Sequence, residues 1–87
     1  MSRINAMRER LATLQPIALK IIDESHKHVG HAGARDGGGH YLLQIVTNQF
    51  TGKGTLARHR MIYSALGEMM KCEIHALNIH AHTPDEV

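Results

Sequence analysis

Histidine carries most of the reactive chemistry in this chain, at eight of 87 residues. Three of them fall in His26-Lys27-His28-Val29-Gly30-His31, a His-x-His-x-x-His spacing, and another stands far downstream in Glu73-Ile74-His75-Ala76. Neutral imidazole binds transition metals through one ring nitrogen while a hydrogen bond to the other orients the ring. The first group equally suits a polar, solvated loop. His75 equally suits a partly buried residue at a strand start, bonded to backbone. His40 reads as a strand-edge residue or a reserve ligand, His59 as a satisfied core histidine, and His80 and His82 as solvent-facing. Cys72 is the only cysteine. With His75 it makes a Cys-x-x-His pair, half of a zinc site without a second half, so it reads as a small packing residue. No nucleophile, base and orienting acid can be picked out together, which argues against an enzyme.

The elements that position these residues follow from periodicity. Ile4, Met7, Leu11 and Leu14 recur at helical spacing after Ser2, a good N-cap, and before Pro16, a helix stop. Residues 17–25 alternate Ile17, Leu19 and Ile21 against Ala18, Lys20 and Ile22, as a strand does. Residues 26–39 hold five glycines and no apolar period, and read as a long loop. A second strand covers 40–48, rich in β-formers. After a short extra turn near 49–54, a helix capped by Thr55 runs to about Met70, with Leu56, His59, Tyr63, Leu66 and Met70 along one stripe. Residues 73–82 form the third strand, with His75 sharing parity with Leu77, Ile79 and Ala81.

This order, αββααβ, predicts a single α+β domain over residues 1–87, resembling the type II KH architecture. Its three-stranded mixed sheet carries helices on one face. Strands one and two pair antiparallel. Strand three follows a helical crossover and lies parallel to strand two. Parallel strands begin at the same end of a sheet, so the histidine loop, which ends where strand two begins, should neighbour His75.

Composition narrows the function classes. The net charge is +2, and Asp85 and Glu86 sit at the end of the sequence, so the body is more basic than the total. That permits an anionic partner without demanding one. Aromatic content of 3% argues against a base-stacking surface for single-stranded nucleic acid. A lone cysteine fits a reducing compartment, and no apolar run is long enough for a membrane span. A cytoplasmic location is the expectation.

Longer motifs point to a family. Leu56-Ala57-Arg58-His59-Arg60-Met61-Ile62-Tyr63-Ser64-Ala65-Leu66-Gly67, Ile74-His75-Ala76-Leu77 and Asp23-Glu24-Ser25-His26-Lys27-His28-Val29-Gly30-His31-Ala32 together resemble the BolA family. The resemblance extends from the first helix to Thr83-Pro84. It implies that His75 is the C-terminal ligand of a [2Fe–2S] cluster shared with a monothiol glutaredoxin and a bound glutathione. A loop histidine supplies the second nitrogen, His31 by its place in Gly30-His31-Ala32, with His28 as the alternate. With no cysteine in the loop, the chain looks like the histidine-type branch. Two imidazoles on one iron and thiolates on the other is an arrangement known from Rieske centres. On this reading the isolated chain holds no cluster; it is a monomer alone and a heterodimer with its partner.

The alternative class is nucleic-acid binding. Gly52-Lys53-Gly54 precedes a helix bearing Arg58 and Arg60, and a helix N-terminus suits phosphate. The spacing is not the Gly-x-x-Gly of a KH loop. Some BolA proteins are described as transcriptional regulators through this helix-turn-helix-like region, and weak DNA binding through Lys53, Arg58 and Arg60 is the expectation. The same surface, with His59, also suits a pure docking module that regulates glutaredoxin without metal.

Overall fold

The computed structural model describes residues 2–25 and 39–87. His26, His28 and His31 lie outside the described residues. Helix α1 spans Arg3–Leu11, and Ser2 Oγ accepts the Asn5 N–H at 3.1 Å, as expected of an N-cap. A 3₁₀ turn, Ala12–Leu14, extends the helix until Gln15 adopts φ 52°, and Pro16 follows. Strand β1 is Ala18–Asp23 and β2 is Gly39–Val46. A 3₁₀ turn at Asn48–Phe50 leads to α2, Thr55–Leu66. Helix α3 is Met69–Cys72, β3 is Ile74–His82, and a last 3₁₀ turn covers Pro84–Glu86.

The sheet order is β1-β2-β3, with β1 and β2 antiparallel and β2 and β3 parallel, as the crossover rule requires. Ile21, Tyr41, Leu43 and Ile45 turn to one face and join Met7, Leu11, Phe50, Ile62, Leu66 and Met69 in the core. Lys20, Gln44, Asn78 and His80 face outward. The helices therefore cover one face of the sheet, and the other meets water.

Several local expectations change. The long helix breaks at Gly67, whose φ of 56° and ψ of −126° suit glycine; its N–H closes α2 on the Tyr63 carbonyl at 2.9 Å. Thr55 is the first helical residue rather than the cap, a position taken by Gly54. The buried stripe runs through Ile62, Leu66 and Met69, so Leu56 and Tyr63 flank it at 64% and 42% exposure. His59 is only half-buried, edge-on to the Tyr63 ring. Leu66 belongs to both possible stripes, which is why composition alone does not choose between them. Ile17 precedes β1 and is exposed, while Leu19 and Ile21 point inward as expected.

Thr47 fastens the end of the sheet. It is fully buried, its Oγ donates to the Leu14 carbonyl at 2.7 Å, and its backbone N–H donates to the His82 carbonyl at 3.0 Å. Thr47→Val keeps the shape and strands the Leu14 carbonyl. Chemical denaturation is expected to show a loss on the order of 1–3 kcal/mol, with an unchanged denaturant slope.

Candidate metal centre and the basic helix

The β2–β3 pairing contains an irregularity where the site lies. Gly39 pairs with Ile74, yet His40 pairs with Ala76, so His75 is the extra residue of a bulge. Ile74 points into the core at 3% exposure, and Leu77, Ile79 and Ala81 pack against it. Simple alternation would put His75 on that inner face. The bulge shifts the parity and leaves His75 exposed. This corrects both the shared parity and the partly buried placement expected of it.

Gly39 has no room for a side chain, since a Cβ would stand 2.5 Å from the Tyr41 ring. Its N–H donates to the Glu73 carbonyl at 3.0 Å, tying the start of β2 to the start of β3. The His40 N–H donates to Ser25 Oγ at 3.0 Å, and its carbonyl accepts the Glu24 N–H at 2.7 Å. Ser25 in turn donates its N–H to Asp23 Oδ1 at 2.8 Å. Both ends of the segment that carries His26, His28 and His31 are thus pinned around His40. The His40 and His75 rings stand 5.0 Å apart between centroids, tilted by 45°. Parallel pairing has brought Ser25, Gly39 and His40, which flank residues 26–38, to one corner with His75.

Cys72 is exposed, with its Sγ 3.7 Å from Glu73 Oε1, so the packing role expected of it does not hold. Among the described residues, no three His, Cys, Asp or Glu side chains converge as a metal site.

The basic segment is built differently from its sequence reading. Lys53 and Arg60 are exposed. Arg58 is drawn into the protein, with only 12% of its side chain exposed. Its Nη1 and Nη2 donate to the two Glu86 carboxylate oxygens, Nη2 at 2.9 Å. Its Nε donates to the Lys53 carbonyl at 2.8 Å, Nη1 also reaches the Ala81 carbonyl at 3.1 Å, and the guanidinium lies over the Phe50 ring. Planar bidentate pairing of this kind needs arginine. Glu86 also accepts the Thr83 N–H at 2.9 Å in a capping box. The Arg58 hydrogen bond, and then that of Thr83, pull the Glu86 carboxyl down from 4.5 to about 2. The same bond raises Arg58 further above its ordinary value. The acid placed by sequence among free terminal charges is the anchor of the last turn. His82 is half-exposed, with its Nδ1 3.8 Å from the same carboxylate, while His80 faces solvent as expected.

Comparison with known proteins assigns this architecture. The family model described as BolA-like protein matches residues 11–86. The chain belongs to the BolA-like family. It is similar to the protein named DNA-binding transcriptional regulator BolA from Escherichia coli, with 40% identity across 92% of this chain and 78% of that protein. It is also similar to SufE-like protein 1, chloroplastic/mitochondrial, from Arabidopsis thaliana, with 44% identity across 99% of this chain. The chain spans only 25% of that plant protein's length. The solved BolA domain of the Arabidopsis SufE1 superposes with a TM-score of 0.86 at 42% identity, covering 100% of this chain and 98% of that one. Arabidopsis BolA1 superposes at 0.84 with 34% identity, over 100% and 98% of the two chains. The BolA-like fold, a mixed three-stranded sheet with helices, is therefore that of this chain. Among the described residues no helix is long and apolar enough to cross a membrane.

The Arg58–Glu86 pair sets an acid dependence. A carboxyl whose folded value lies below its unfolded one stabilises above the unfolded value and loses that contribution as pH falls through the folded one. Glu86→Gln is expected to lower the thermal midpoint at neutral pH. The difference from wild type should shrink between pH 4.5 and about 2, followed by circular dichroism melts across that range.

Proposed function

We propose that this BolA-like chain is a partner of a monothiol glutaredoxin. It contributes histidine nitrogens to a [2Fe–2S] cluster held jointly with the glutaredoxin cysteine and the cysteine of a bound glutathione. The role is iron–sulfur trafficking or iron-linked regulation, with binding and handover rather than enzymatic turnover. His75 carries the reading: it is an imidazole displayed on a bulge, beside both anchors of the segment bearing His31 and His28. An exposed donor can be approached by a second protein, whereas a core histidine cannot. The donor set fits, because imidazoles are present at the corner and thiolates must be supplied from outside. When bound, the cluster supplies a redox-active and transferable iron–sulfur unit. His75 and His31, or His28 in its place, hold the iron on this side. The proposed compartment is the cytoplasm, where an exposed thiol such as Cys72 stays reduced.

The test mixes the chain with a monothiol glutaredoxin, glutathione, iron and sulfide. The visible circular dichroism of the mixture is expected to differ from that of the glutaredoxin complex alone, and His75→Ala to abolish the difference. A mixture spectrum identical to that of glutaredoxin alone overturns the reading.

The name of the Escherichia coli relative favours a second reading, DNA binding. In this chain Lys53 and Arg60 are the exposed cations of the expected segment, and Arg58 is held by Glu86. Binding should then be weak and directed to the phosphate backbone, with Kd roughly 10⁻⁴ to 10⁻⁶ M at physiological salt. Lys53→Ala and Arg60→Ala should each reduce the log–log salt slope by about one. Arg58→Ala should mainly lower thermal stability. Titration of a labelled duplex at several salt concentrations checks this. Tight, sequence-selective binding that survives high salt would place the regulator reading first.

A further inference from the structure

We propose that two copies of this chain pair through the outer edge of β3, antiparallel across a two-fold axis at Asn78, in place of the monomer expected of the isolated chain. The pairing requires neither a cluster nor glutaredoxin. The sheet order leaves β3 at an edge. Two bonds fix the backbone directions along it. The His82 carbonyl accepts the Thr47 N–H from the end of β2, whereas the Ala81 carbonyl points the other way and accepts Arg58 Nη1. Directions repeat every second residue, so the N–H and C=O of Leu77 and Ile79 also point away from the sheet. Among the described residues no group bonds to them. Natural edge strands are commonly defended by charged residues or Pro. From Ile74 to His82, β3 carries no Lys, Arg, Asp, Glu or Pro.

The open stretch of this edge has two stops. At one end the bulge at His75 interrupts the strand. At the other, Arg58 occupies the Ala81 carbonyl and is itself held by Glu86 and the Lys53 carbonyl. Each stop lies three residues from Asn78, so residues 76–80 stay open with Asn78 at their middle. A second copy suits such a stretch, because a two-fold axis uses the same residues from both sides. In that register Leu77 of each copy faces Ile79 of the other and exchanges both backbone hydrogen bonds with it. These side chains lie on the inner face, partly buried against the core, and their meeting across the axis covers apolar area left exposed at the edge. Asn78 faces Asn78 of the second copy as a non-hydrogen-bonded pair, with Cα atoms about 4.5 Å apart. Both amides are exposed and can bond each other there. Ala76 faces His80, a small side chain against a large one. No like charges meet at the axis, and a net charge of +2 per copy adds little repulsion. The two three-stranded sheets become one continuous sheet, and the paired stretch ends before His75.

Sedimentation velocity of the full chain, from micromolar to millimolar concentration, is expected to show a reversible monomer–dimer equilibrium. Amide exchange at Leu77 and Ile79 is expected to slow as the dimer fills. Asn78 is exposed, so Asn78→Lys and Asn78→Asp should keep the fold, checked by circular dichroism melts. Each sets like charges opposite one another at the axis and is expected to weaken dimerisation about fivefold or more. An equimolar mixture of the two variants sets opposite charges there and is expected to restore pairing. A chain that stays monomeric at every concentration overturns the proposal. So does a dimer in which exchange at Leu77 and Ile79 does not depend on concentration, or one that both variants leave intact. A mixture no more dimeric than either variant alone overturns the axis at Asn78.

Discussion

The parallel pairing of β2 with β3 is the constraint on which the rest of the structure depends. The strands are joined only through a helical crossover, so their pairing is non-local and brings their starts to one end of the sheet. At that end, Gly39 is squeezed between the Glu73 carbonyl and the Tyr41 ring, and the register slips by one residue. That slip carries His75 outward while Ile74 stays in the core. An unbroken ladder would preserve alternation and place His75 with Leu77 and Ile79 on the inner face. The chemistry proposed for this chain therefore follows from an imperfection in the sheet and from the small residue that permits it.

The opposite end of the sheet is fastened by polar groups. Thr47 joins the end of the first helical segment to the end of β3, and Arg58 joins α2 to the last turn through Glu86. Both lie where strands end and backbone groups lose their ladder partners. A buried carbonyl without a donor is costly, so a threonine hydroxyl and a guanidinium are well matched to the position. The consequence for function is that the Arg58-His59-Arg60 run is divided. One arginine serves the fold and the other faces solvent, so the signature is not a uniform basic patch.

Much of the fold was legible because its determinants are local. Ser2, the Met7-Leu11-Leu14 spacing, Pro16 and the β-rich run from Tyr41 to Thr47 act within a few residues of themselves. The helical crossover between the second and third strands then favours their parallel pairing. The break at Gly67 was harder to read, because a glycine inside a helical pattern can be tolerated there or can end the helix as its C-cap. The burial of Ile62 in place of Leu56 and Tyr63 was not legible either. Two stripes sharing Leu66 have similar apolar character, and the choice between them is made by what packs opposite.

By itself, the sequence determined the element order, the direction of each strand and the approach of His75 to the anchors of the histidine segment. These depend on periodicity, turn chemistry and chain connectivity. Only the tertiary structure decided that His75 sits on a bulge, that His40 lies against it at 5.0 Å, and that Glu86 captures Arg58. The physical reason is common to all three. Each depends on contacts between residues distant in the chain, where a shift of one residue in register or a fraction of a turn in a helix changes which side chains meet.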